Sequence, residues 1–126
     1  MNDITTFEKA CEKVGVNATK LPEVSMLPEK HQKSIVAYFK LIIIAQAIND
    51  GWEPNWHDTN EWKYYPWFYV KATEEKKSGF GLSYHDYRYG CSLTVVGSRL
   101  VFKSREAARF CGETFTDLYN DYFLIN

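Results

Sequence analysis

Apolar residues follow one another almost without a break from Ile35 to Ala45, interrupted only by Lys40. The pattern begins near Pro28 and continues to Asn49, too long for one strand, so it predicts a helix. Pro28 suits a first helical turn, Glu29 suits its positive end, and Asn49-Asp50-Gly51 is a stop signal. A surface helix keeps a wide polar face. Here only Lys33, Ala37, Lys40 and Ile44 fall on one narrow stripe that faces water. Ile35, Val36, Tyr38, Phe39, Ile42, Ile43, Ala45 and Ile48 point elsewhere, which predicts a helix buried on most sides. The apolar stretch is shorter than the ~20 residues a membrane span needs, and Lys40 and Gln46 interrupt it.

The remaining pattern supplies further elements. Thr5 or Thr6 caps a short helix reaching about Val14, with Phe7, Ala10, Cys11 and Val14 on one face and Gly15 as its stop. Residues 17–28 read as a loop tacked to the core by Leu21, Val24, Met26 and Leu27. Residues 51–63 read as an ordered loop pinned by Trp52, Trp56 and Trp62. Alternation then predicts strands over 64–71, 80–87 and 92–102, with a hairpin loop over 73–79 and a bulge at Gly97. Ser104 caps a last helix over 105–123, after which Leu124 and Ile125 dock. The order α-α-β-β-β-α predicts an α+β fold. In it, a three-stranded antiparallel meander is packed by a buried central helix and a C-terminal helix, in one domain spanning 1–126.

Period-two alternation gives the sheet two unlike faces. Pro66, Phe68 and Val70 share one face with Phe80, Leu82, Tyr84, Leu100 and Phe102, suited to the central helix. The other face collects Tyr65, Trp67, Tyr69, His85, Arg99 and Lys103, the candidate binding residues. Rings interleaved with cations suit stacking on single-stranded nucleic acid. They equally suit protein contact or packing beneath helices, since Tyr and Trp carry an apolar body and one polar tip. Trp56, Trp62 and Trp67 form an alternative cleft for a nucleotide-like small molecule.

Composition narrows the field. The 126 residues are 45% hydrophobic and 17% aromatic, with a formal charge of −1. That charge gives no overall pull toward nucleic acid or membrane. Cys11, Cys91 and Cys111 lie without a C-x-x-C pair or a secretory leader, so free thiols in a reducing compartment are expected. His57-Asp58 and His85-Asp86 are the only His-Asp pairs, and His31 is the one other histidine, too few for a two-metal hydrolase site. No nucleophile elbow or phosphate loop occurs. The expectation is a non-enzyme with no catalytic residue, metal or cofactor.

Three stretches carry a resemblance. They are residues 25–33, opening Ser25-Met26-Leu27-Pro28-Glu29; the run Lys63-Tyr64-Tyr65-Pro66-Trp67-Phe68; and residues 96–106, opening Val96-Gly97-Ser98-Arg99-Leu100, with the tail Phe115-Thr116-Asp117-Leu118-Tyr119. Together they resemble a family of small uncharacterised proteins of phages and mobile elements of gut bacteria. The resemblance spans nearly the whole chain. It implies a phage or prophage context, in the cytoplasm of a bacterial host cell or on the virion, and carries over no catalytic residue. The reading that follows is a non-catalytic accessory protein that binds, through a protein partner or self-association. Single-stranded nucleic acid is the alternative partner, and no membrane is expected.

Overall fold

The computed structural model describes residues 3–73, 76–90 and 94–125, with side chains outside 71–90. Helix α1 (Phe7–Val14) begins where the extended Thr6 turns its hydroxyl to accept the Lys9 N–H at 3.2 Å. It ends at Gly15, whose φ of 88° is left-handed and whose N–H reaches the Cys11 carbonyl at 2.8 Å. Phe7, Ala10 and Cys11 face inward.

Helix α2 (Glu29–Asn49) is the centre of the molecule and packs against every other helix. It stops where Asp50 and Gly51 both take positive φ. The outward stripe differs from the expected one. Ala37 and Ile44 are buried, Lys40 is half-buried with its ammonium 5.4 Å from the Phe7 ring, and Ile35 and Gln46 face out. α1 therefore docks on the side that Lys40 marked as polar, where the lysine stem lies along apolar surface and its head stays wet. The preceding loop is only partly anchored. Val24 and Leu27 are half-buried, whereas Leu21 and Met26 are exposed.

The sheet is a correction to the sequence reading. The fold is α+β, but the three-stranded meander does not form: the described residues hold one antiparallel hairpin, β1 (Lys63–Thr73) with β2 (Lys76–Gly90). Trp67 opposes Asp86 while Phe68 opposes Tyr84, so the bulge lies at His85 of β2 rather than at Gly97.

Residues 92 and 93 of the expected third strand lie outside the described residues, and over 94–102 it shrinks to one bridge, Tyr64 with Phe102, closed by bonds of 3.1 and 2.7 Å. Two local causes stop it. The Thr94 hydroxyl takes the N–H groups of Val96 and Gly97 at 3.2 and 2.9 Å, which competes with a ladder. Gly97 then adopts φ 75°, ψ 179°, open only to glycine, and leads into a 3-10 turn over Ser98–Leu100. Beyond the bridge, Phe102 gives its backbone groups to Tyr64, so the Val101 carbonyl and Lys103 N–H point the opposite way. The buried Asn49 amide meets both, at 2.9 and 3.3 Å. A side chain at the end of α2 thus stands where a neighbouring strand would be. The absent N–H of Pro66 faces the same edge as Tyr64's backbone groups, which is where a strand tolerates proline.

The expected single C-terminal helix is two, α3 (Arg105–Thr114) and α4 (Thr116–Phe123), jointed at Phe115. Ser104 caps α3 through the Ala107 N–H at 3.1 Å. At the joint the Thr116 hydroxyl donates back to the Gly112 carbonyl at 2.7 Å. Back-bonding of this kind bends helices, and the bend lets Phe115 and Tyr119 both reach the core. The hairpin rests on α3 and α4 through Phe68, whose ring lies 5.0 Å from Tyr119. Ile125, expected to dock, is exposed. Among the described residues no helix is long and apolar enough to cross a membrane.

Candidate functional site

The loop between α2 and β1 is built around a buried ammonium. Lys63 is 1% exposed. Its Nζ donates to the carbonyls of Asn55 (2.7 Å) and Asp58 (3.1 Å), lies 3.4 Å from the Glu61 carboxylate and sits 5.0 Å from the Trp56 ring centre. The loop folds back through short polar turns. Asn55 Oδ1 accepts the His57 N–H, Asp58 Oδ1 accepts the Asn60 N–H, and Glu61 Oε1 accepts the Asn55 N–H at 2.7 Å. The Asn55 and Asp58 carbonyls and the Glu61 carboxylate thus all meet the ammonium, and such partners are the condition for burying a charge. With its ring held over Lys63, the Trp56 indole N–H reaches the Ser98 hydroxyl at 2.7 Å. That bond ties the loop to the 3-10 turn and so positions the next residue, Arg99.

Arg99 lies on a groove of about 410 Å³. Ile42, Ile43, Gln46 and Asn49 of α2 contribute one side, Trp52, Glu53 and Pro54 of the loop a second, and Ser98 and Arg99 of the turn a third. Among the described residues, the side chains of Gln46, Trp52, Glu53 and Arg99 have no hydrogen-bond or ion-pair partner. The groove thus joins an aliphatic base to polar groups of both signs that are not spent on each other.

A second recess, about 270 Å³, lies beside β1 and is lined by Tyr65, Pro66, Trp67, Phe68, Val70, Val95, Val96 and Phe123. Trp67 is 40% exposed, Tyr69 and Val70 54% each and Val95 73%. Among the described residues no charged side chain lines this recess.

The predicted site residues divide between these places. Tyr65 and Trp67 neighbour each other on β1, with rings 6.3 Å apart, and Tyr69 follows on the same strand. Arg99 and Lys103 do not join them, because the strand meant to carry them does not form. Arg99 lines the groove, and Lys103 Nζ donates to the Asn49 carbonyl at the end of α2 at 3.2 Å, where a helix favours a cation. The groove and the β1 recess share no lining residue. The His85 side chain and Cys91 lie outside the described residues. The three tryptophans of the alternative cleft share no described pocket: Trp56 is stacked on Lys63, Trp62 is exposed, and Trp67 faces the β1 recess.

Sequence reasoning missed Trp52, Glu53 and Gln46 as site residues. The one signal available was Trp52-Glu53-Pro54 directly after a helix stop, a rigid stretch carrying a ring and a charge. Cys11 and Cys111 are free, buried thiols. Burial raises both, Cys111 to about 12 despite its 3.5 Å contact with the Tyr119 hydroxyl. Among the described residues no three His, Cys, Asp or Glu side chains gather to hold a metal ion. No family model, curated protein or solved structure matches the chain.

Proposed function

We propose that the chain is a non-catalytic binding protein of a phage or mobile element that works by protein contact, and that it docks its partner at the β1 recess. The observation that carries this reading is the grouping of Trp67, Val70, Val95 and Phe123, all exposed, around one recess whose described lining is apolar and aromatic. Grouped exposed apolar residues mark interaction sites, whereas scattered ones do not. The recess has room for one or two side chains, so the partner presents a large apolar anchor. Single-strand binding has less support, because it needs rings and cations on one surface, and Arg99 and Lys103 belong to other surfaces.

The test is quantitative co-purification of tagged protein from producing cells, comparing wild type with Trp67→Glu, Val95→Glu and Arg99→Ala. A partner held by wild type and by Arg99→Ala, and weakened roughly 30-fold by either glutamate, supports the reading, since an anchor residue is worth about 2 kcal/mol or more. Equal recovery by all four proteins overturns it. If sedimentation shows that wild type alone self-associates, the partner is a second copy.

A further inference from the structure

The groove beside Arg99 is a separate surface from the β1 recess, and its chemistry is more specific. We propose that it binds a small zwitterion with a flat apolar body, of the amino-acid kind, with the carboxylate on Arg99, the ammonium on Glu53 and the body over Ile42 and Ile43 beside the Trp52 ring. Its volume, about 410 Å³, is that of a small-ligand site, which typically spans roughly 300–1,000 Å³ with a few convergent polar groups on an apolar lining.

The charges choose the ligand class. Arg99 and Glu53 line one groove yet form no ion pair with each other or with any described residue. They stand on different segments, Arg99 in the 3-10 turn and Glu53 in the loop after α2. The Trp56–Ser98 bond fixes the turn that carries Arg99. Pro54, with its locked φ, follows Glu53 in the loop. A ligand bearing both charges satisfies both groups at once. A guanidinium offers two parallel N–H bonds to one carboxylate. A nucleotide fits less well, because a single arginine opposes its phosphates while Glu53 repels them. Gln46 supplies one more donor and acceptor, and the Trp52 indole one N–H.

The experiment titrates the full chain with L-phenylalanine, 3-phenylpropionate and phenethylamine to millimolar levels, reading the Trp52 indole N–H by ¹H–¹⁵N NMR. Phenylalanine is expected to shift that signal most. Arg99→Ala should weaken phenylalanine and phenylpropionate about tenfold, the equivalent of ~1.4 kcal/mol, and leave phenethylamine unchanged. Glu53→Gln should do the reverse, weakening phenylalanine and phenethylamine only. An unmoved Trp56 indole signal in each variant shows that the loop is intact. Trp67→Glu should change none of these shifts, which separates this site from the docking reading. No shift with any of the three probes overturns the proposal, as do shifts that both variants leave unaltered.

Discussion

Replacing Lys63 by methionine keeps the apolar stem and deletes the charge, so it isolates the role of the ammonium. Among the described residues, that ammonium makes two bonds to carbonyls and one ion pair. Bonds to a charged group contribute about 1.5–3 kcal/mol each, and breaking a buried pair costs about 3–5 kcal/mol. Both figures are reduced here. Asn55 and Asp58 are exposed residues whose carbonyls water can reach after a small movement, and the Glu61 side chain keeps 25% of its exposure. A net loss of about 3 kcal/mol is the result. For 126 residues at ~2.1 cal/mol/K each, the unfolding entropy is about 260 cal/mol/K, so the melting temperature should fall by about 11 °C.

The measurement is urea unfolding followed by tryptophan fluorescence together with a thermal melt by circular dichroism. Lys20→Met serves as control, because Lys20 is exposed and should change stability by less than about 0.5 kcal/mol. The two probes should separate in Lys63→Met, because the loop holding Trp52, Trp56 and Trp62 loosens before the helices melt. A loss under about 1 kcal/mol with coincident probes would refute the view that the ammonium organises the loop.

Other perturbations test neighbouring parts of the argument. Asn49→Leu should cost about 2–3 kcal/mol in urea unfolding, because it strands the buried Val101 carbonyl and the Lys103 N–H. Asn49→Asp should be worse at neutral pH, where a carboxylate faces that carbonyl, and should recover as acid restores a donor. Ile44→Ala, in the core, should cost about 2–5 kcal/mol, and Ile35→Ala on the exposed side less than about 0.5 kcal/mol; equal losses would reverse the assigned orientation of α2. Burial pushes the Cys111 thiol up from its ordinary value of 9.0 to about 12 in the folded protein. The folded state therefore keeps a proton that the unfolded state releases, and stability falls as pH rises above 9. The loss should be roughly 1.4 kcal/mol near pH 10, and Cys111→Ala should remove it from the alkaline unfolding curve.

The helices were legible because their signals are local. Thr6 and Gly15 bracket α1, Asp50 closes α2, and Ser104 opens α3, each through a bond within four residues. The joint at Phe115 was not legible, because the spacing of Cys111, Phe115 and Tyr119 continues across it while a single hydroxyl redirects the chain. The alternation of β1 was also legible: Pro66 is buried, Phe68 half-buried, and Trp67 and Tyr69 exposed. Val70 departs from it, sharing parity with Phe68 yet exposed.

The candidate site was less legible, for a reason that particular bonds make plain. Residues 92–102 have strand composition, and nothing in their alternation marks Thr94 as a backbone acceptor. Nor does it show that Asn49, 52 residues away from Val101, takes the place of the next strand. Arg99 was assigned to a sheet face by parity, yet the bond that places it runs across 42 residues from Trp56 to Ser98. Lys63 was read as the last residue of a surface loop, because lysine is seldom buried unless paired and its partners are mostly main-chain oxygens, which leave no mark in side-chain pattern. Periodicity reports which way a face points and says nothing of side chains that bond to distant backbone. In this protein those bonds, from Asn49, Trp56 and Lys63, shape the groove, so the residues beside them are where a search for ligand should begin.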